Sequence, residues 1–326
     1  MQLIIDTANT KISVRNKSFH IQNNDYSKII APKRISSIAV TTNCNINAAV
    51  IKLAAQHQIP VYFYNNFGTL QARMCSPFLV NLAELRRKQL YFYHTKEATQ
   101  WVIDILNHKT NLQISLLKQL KSRKPKHRQF TDTTIEQMKI LKNKAYKFSA
   151  KKIDEVRNNL LGIEGQISKN YFKNLSLFLP QNFQFNTRSR RPATDYFNAG
   201  LNYLYGMTYS IVESGIYAKG LDPYAGFMHT DYYKKPSLVF DLIEPVRPLV
   251  DKIWLQLILN NKIKENHFIK KEQGFWLNKQ GKRVVIPAYN QFLYKRFKLN
   301  ENYFSLKKFI YTLSNDLGKL IEITLK

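Results

Sequence analysis

The sequence predicts an α+β protein. A β-rich N-terminal domain of strands with one helix occupies residues 1–78, and an all-α domain occupies residues 79–326. Three observations carry this reading. Short alternating apolar runs separated by polar turns fill the first 76 residues. From Leu79 onward the apolar period becomes helical. The 326 residues also leave room for about two domains of ordinary size, each able to bury a core.

The elements follow in order. LIID, KISV and FHI read as strands, and ISSIAV (35–40) is apolar and β-branched. NINAAVIKLAAQH (45–57) places Ala48, Ile51 and Ala55 at helical spacing, with Asn45 or Asn47 as N-cap. IPVYFY (59–64) is a strand, and a turn at Asn66 to Gly68 leads into TLQARM. Past Pro77, LVNLAELRRKQLYFY, EATQWVIDILN and NLQISLLKQL each carry an apolar i, i+3, i+4 stripe. A long helix covers 151–176, and another starts at Thr194 or Asp195 and stops at Gly220, a residue type suited to a left-handed helix end. SLVFDLI opens a helix or a short turn, since Pro245 disfavours helical geometry at Glu244. PLVDKIWLQLIL resumes a helix with Pro248 in its first turn. FWLNKQGKRVVI (275–286) reads as a hairpin around Gln280 and Gly281, and the last helix is 304–324.

Fifty Lys and Arg stand against 22 Asp and Glu, a formal charge of +28. Such a charge calls for a polyanionic partner, with nucleic acid foremost. Of the 50 basic residues 36 are Lys, and an AT-rich genome would account for part of that excess. No apolar run approaches the ~18 residues of a membrane span, so a membrane partner is excluded. The first residues lack the basic and small-residue marks of a signal peptide. Cys44 and Cys75 are too few for a disulfide framework or a four-thiolate zinc site. The expectation is a cytoplasmic, reduced protein.

Basic residues concentrate between 86 and 157, with 18 Lys or Arg against 6 Asp or Glu. The densest piece, 121–130, holds Lys121, Arg123, Lys124, Lys126 and Arg128. It is either a solvated helix–helix connection or a phosphate-contacting loop without sequence preference.

In so basic a chain, acids in apolar settings stand out. Glu164 lies between Ile163 and Gly165, with Gly162 just before. Two glycines inside a helix cost about 1 kcal/mol each, so close approach of another helix or of a ligand backbone would explain them. Glu164 is then either a surface acid beside packing glycines or a ligand. Asp241 and Glu244 share a face if 238–244 is helical. They serve chemistry, or they complement a helix dipole with Arg247 as partner. His229 is either a hydrogen-bonded structural residue or a ligand. No GxSxG, GxGxxG or P-loop occurs.

Four blocks in order, GIEG (162–165), RRPATDYFNAGLNYLYG (190–206), GLDPYAGFMH (220–229) and PSLVFDLIEPVRP (236–248), closely resemble the CRISPR-associated adaptation integrase and endonuclease. The segment from ISSIAV to LQAR resembles that family's N-terminal β-domain, so the resemblance covers nearly the whole chain. It implies a metal-dependent enzyme that inserts spacer DNA into a CRISPR array. It implies Mg²⁺ or Mn²⁺ held by Glu164, His229 and Glu244, with Asp241 as a further acid beside the site. It implies a dimer of this chain, two dimers bridged by a small ferredoxin-like CRISPR adaptation protein, with prespacer and repeat DNA as substrates. Arg190, Arg191 and Arg247 are phosphate contacts, or they pair internally with Asp195, Asp241 or Glu244. Asn198, Asn202 and Tyr205 share a helical face that lines the site or satisfies buried polar groups. The alternative function is a non-catalytic basic nucleic-acid-binding scaffold; an unrelated nuclease acting on RNA is a weaker third reading.

Overall fold

The computed structural model describes residues 1–65, 70–74, 76, 83–190, 192–229, 235–271, 274–299 and 302–326. The chain separates into two compact units, Met1–Asn81 and Leu82–Lys326. The expected boundary at 78/79, the turn at 66–68, Cys75 and Arg191 lie outside the described residues.

Among the described residues the first unit holds two four-stranded sheets. One has the order β1-β5-β7-β8, built from Gln2–Ile5, Ser37–Val40, Val61–Tyr64 and Leu70–Met74. The other has the order β4-β3-β2-β6, built from Ser27–Ile30, Ser18–Gln22, Thr10–Arg15 and Cys44–Ile46. Asn16 and Lys17, both at positive φ, turn β2 into β3. In β3, Phe19 and Ile21 point inward and Ser18, His20 and Gln22 do not. These two join Leu3, Ile12, Ile38, Val50, Leu53 and Val61 in one apolar core. Helix α1 (Ala48–Gln56) starts at Asn47, whose side chain accepts from the Val50 N–H at 3.1 Å. Of the two caps the sequence offers, Asn47 is the one used, and Cys44–Ile46 before it pairs with β2 as a strand. Strand β7, with Tyr62 fully buried, lies between β5 and β8 in the sheet interior.

The second unit is mostly helical, as expected: α2 (Ala83–Phe92), α3 (Lys96–Arg123), α4 (Arg128–Ala145), α5 (Ile153–Ser176), α6 (Tyr196–Lys219), α7 (Ser237–Ile243) and α8 (Arg247–Leu259). Among the described residues two antiparallel strand pairs interrupt the all-α expectation. β9 (Phe268–Lys271) pairs with β10 (Gly274–Leu277), and β11 (Phe297–Leu299) with β12 (Asn302–Phe304). The hairpin read at 275–286 is corrected. Only its first residues are strand, paired backward with β9, and Lys279–Tyr294 is helix α9. Asn278 decides this, because its side chain accepts from the Gly281 N–H at 2.9 Å and caps the helix. Helix α10 (Leu306–Thr324) closes the chain. Asp195 caps α6 and Gly220 ends it at φ 91°.

Helix α3 packs against α4, α5 and α8, and α6 packs against α7, α8 and α10. Helices α6 and α8 meet at Gly200, where a Cβ would run into the Trp254 ring. The Trp254 indole N–H donates to the Phe197 carbonyl at 3.0 Å. Pro245 ends α7 at Ile243 but leaves Glu244 in right-handed helical geometry (φ −53°, ψ −52°). A 3-10 turn over Glu244–Val246 then runs straight into α8. Among the described residues no helix is long and apolar enough to cross a membrane.

Candidate active site

The loop after α6 is fastened from several sides. Gln89 of α2 donates to the Asp222 and Ala225 carbonyls at 2.9 and 2.8 Å and accepts from the Asp222 N–H at 2.8 Å. Ser237 accepts from the Gly226 N–H at 2.9 Å and leaves no room for a side chain there. The loop then points three successive N–H groups at Asp241. Phe227 and Met228 donate to its Oδ2 at 2.6 and 3.1 Å, and His229 donates to Oδ1 at 2.9 Å. The His229 ring Nδ1 also meets Oδ1, at 2.7 Å. Burial pulls the His229 pKa down, but Asp241 and then Glu244 outweigh it and raise it above the ordinary value.

Glu164 of α5 and Glu244 of the 3-10 turn converge on a single buried cation, the ammonium of Lys109 from α3. The ammonium binds Glu164 Oε1, Glu244 Oε2 at 2.6 Å and Ser168 Oγ at 3.1 Å. The Ser168 hydroxyl in turn donates to Glu164 Oε1 at 2.7 Å. Arg247 donates through Nε to the other Glu244 oxygen at 2.9 Å and through its terminal nitrogen to the Tyr209 hydroxyl at 3.2 Å. Burial alone would raise the Glu244 pKa. Arg247, Lys109 and His229 together bring it down to about 2. Glu244 is an anion with a cation at each oxygen.

Beneath this cluster lies a second buried group. Asp251 of α8 accepts from the hydroxyls of Tyr171 at 2.9 Å and Tyr205. Burial pushes the Asp251 carboxyl up to about 6, against the Tyr hydroxyls and the guanidinium groups of Arg188 and Arg247. Arg188 stacks on Phe172 and Tyr205 and donates to Asn198 and to Asn202, the latter at 2.8 Å. Asn198 also binds the Thr187 carbonyl at 2.9 Å, and Asn202 binds those of Ser189 and Arg190 at 3.0 and 2.6 Å. Both asparagines therefore bind backbone carbonyls and Arg188 and hold the segment before α6.

Glu164, Glu244 and Arg247 come together, and His229 is close enough to Glu244 for their charges to interact. Asp241 is brought to His229. Among the described residues no three His, Cys, Asp or Glu side chains stand close enough to share one metal ion in this conformation. Arg247 is internally paired with Glu244, and Arg190 is exposed. The 121–130 segment is a tight corner between α3 and α4 with a 3-10 turn at Pro125–His127. Lys121 pairs with Asp132 at 2.5 Å, Lys124 donates to the Phe178 carbonyl at 2.8 Å, and Arg123, Lys126 and Arg128 are exposed.

Sequence reasoning missed Lys109, Ser168, Arg188 and Asp251. One signal was available for Lys109. It takes an inward position in an apolar helical stripe with Val102, Ile105, Leu106, Gln113 and Leu117, where an unpaired lysine would not be tolerated.

The fold and this cluster define a two-unit protein, β-rich then helical, whose second unit gathers two acids, a histidine–aspartate pair and two cations at the junction of α3, α5, α7 and α8. A family model described as "CRISPR associated protein Cas1" matches residues 3–291, and the chain belongs to the Cas1 family. A relative named CRISPR-associated endonuclease Cas1 1, from Archaeoglobus fulgidus, is 29% identical over 300 residues, covering 88% of this chain and 87% of the relative. Two solved structures share the fold. A casposase bound to integration product has a TM-score of 0.83 at 21% identity, covering 100% of this chain and 92% of that one. A chain of a Cas6-RT-Cas1–Cas2 complex has a TM-score of 0.79 at 21% identity, covering 99% of this chain and 35% of that one.

Proposed function

We propose that this chain is a metal-dependent DNA endonuclease and integrase that inserts spacer DNA into a CRISPR array. A prespacer 3′-hydroxyl would attack a phosphodiester at the repeat boundary, forming one P–O bond while the P–O bond to the repeat strand breaks. The oxygen that leaves ends as a hydroxyl, so the proton lost by the attacking group is balanced. The observation that carries this reading is the convergence of Glu164 and Glu244 on one buried cation beside the His229–Asp241 pair. Family membership and the integration product of the casposase relative support the same chemistry.

The donor set fits Mg²⁺ or Mn²⁺. Carboxylate oxygens on a shared cation, with an imidazole alongside, are the ligands these ions take. Glu164, Glu244 and His229 would hold the ion. When bound, it would neutralise the charge that builds on the phosphate. The chain's own residues supply the rest. Asp241 accepts from His229 Nδ1, which keeps Nε2 for a ligand and fixes the ring. Arg247 holds one Glu244 oxygen and so sets the direction of the other.

The proposed partners are prespacer and repeat DNA, a second copy of this chain, and a small ferredoxin-like CRISPR adaptation protein. The +28 charge and the exposed Arg123, Lys126, Arg128 and Arg190 support DNA binding. The test is strand transfer of a labelled prespacer into a repeat with Mg²⁺ or Mn²⁺, beside a binding assay. Wild type should transfer, while Glu164→Ala and His229→Ala should bind DNA and fail to transfer. Binding without transfer in wild type would favour the non-catalytic scaffold. Light scattering at micromolar concentration should report a dimer, and a monomer would remove that partner.

A further inference from the structure

We propose that Lys109 competes with the divalent ion for Glu164 and Glu244. Its ammonium holds the two carboxylates together in the metal-free protein and gives up that position when the ion binds. This rests on the metal-dependent reading above.

The geometry is that of a filled cation site. An ammonium has three N–H donors. Here they meet three oxygens, of Glu164, Glu244 and Ser168, each from a side chain that could face an ion. The Lys109 side chain is only 4% exposed, so the pairing is made away from water. Two carboxylates brought to one point repel unless a cation stands between them. A hard divalent ion takes oxygens at ~2.0–2.6 Å, and Lys109 Nζ already stands 2.6 Å from Glu244 Oε2. Ion and ammonium therefore claim the same space.

The surroundings let the exchange happen without leaving Glu244 bare. Arg247 holds Oε1 at 2.9 Å, so only Oε2 changes partner. Glu164 is 22% exposed, so the pair meets water on the Glu164 side. Competition weakens apparent ion affinity by the fraction of time the site is open. An ammonium in place nine-tenths of the time lowers affinity about tenfold.

The experiment titrates Mn²⁺ into full-length wild type, Lys109→Met and Lys109→Gln by calorimetry, and follows thermal unfolding with and without Mn²⁺. Both variants should bind Mn²⁺ about tenfold more tightly. Both should melt lower than wild type without metal and gain more from saturating Mn²⁺. Lys109→Gln keeps hydrogen bonding without the charge, so it carries the test if Lys109→Met does not fold. Equal or weaker Mn²⁺ binding by a folded lysine variant would overturn the proposal. Glu164→Gln, run alongside, separates the two ideas. If it binds Mn²⁺ like wild type, the metal reading fails. If it loses Mn²⁺ while the lysine variants bind no tighter than wild type, the metal reading stands and the competition is wrong.

Discussion

His229 Nδ1 lies 2.7 Å from Oδ1 of Asp241, an acid with no exposed surface. The same carboxyl takes the N–H groups of Phe227, Met228 and His229. All its acceptor capacity is used inside the loop it holds. Asp241 therefore orients the histidine and the loop, and Glu244 is the acid of that block open to a cation.

Asp241→Asn should lose stability and metal affinity together. An amide turns one acceptor into a donor that faces N–H groups, at a cost of about 1–3 kcal/mol. Mn²⁺ affinity should fall ~10–100-fold, the usual effect of losing a ligand's outer partner. Thermal denaturation and a Mn²⁺ titration check both, and an unchanged affinity would remove His229 from the site.

Both Glu244→Gln and Glu164→Gln should abolish strand transfer, but their stability costs should differ. Glu244 is 4% exposed and pairs with both Lys109 and Arg247. Its loss leaves Arg247 without its carboxylate and Lys109 with Glu164 alone, at a cost of about 3–5 kcal/mol. Glu164 is 22% exposed and its lysine keeps Glu244, so its loss should cost clearly less. Glu244→Asp keeps the charge and should retain some transfer. Denaturant unfolding orders the variants, and a costlier Glu164→Gln would contradict the geometry.

Asp251 should make the native state less stable as pH rises. Its carboxyl is pushed up from 3.8 to about 6 in the folded chain. Between those values the unfolded chain has already released the proton that the native state keeps. Its contribution is therefore whole below about pH 4 and lost as pH climbs through 6, up to about 3 kcal/mol in all. Asp251→Asn removes this dependence. Urea unfolding from pH 4 to 7 should show the variant gaining on wild type as pH rises. A difference that does not change with pH would mean the carboxyl ionises normally.

Gly162 and Gly165, one turn of α5 around Glu164, have no neighbour within 4 Å of an added Cβ. The close approach that two helix glycines suggest is not made by the described residues of this chain. Alanine at either site should raise stability by about 1 kcal/mol. If the open face receives the DNA backbone, the same variants should bind DNA more weakly. Melting and binding measured on one preparation test both, and unchanged binding would move the DNA elsewhere.

DNA affinity should fall steeply with salt, because many phosphate contacts release counterions. Neutralising Arg123, Lys126 and Arg128 should weaken binding to all sequences alike. Lys121 and Lys124 are engaged with Asp132 and Phe178, so their removal should act more on the corner than on DNA. A flat salt series would contradict charge-driven binding.

The sequence by itself determined the division into a strand-rich first part and a mostly helical second part, because strand and helix periods are local. Phe19 and Ile21 alternate within β3, and α6 could be bounded to within a residue, from Thr194 or Asp195 to Gly220. The four blocks also named Glu164, His229, Asp241 and Glu244 through their resemblance to a family. Local pattern failed where a capping contact or a partner strand chose the structure, at Asn278 and at Cys44–Ile46. Only the tertiary structure decided what the acids face. Lys109 is 55 residues from Glu164 and 135 from Glu244, yet its ammonium joins them. Asp241 and Glu244, three residues apart, were assigned to a histidine and to two cations by packing. Charge pairing acts through space and is set by which helices meet, and no spacing along the chain encodes it.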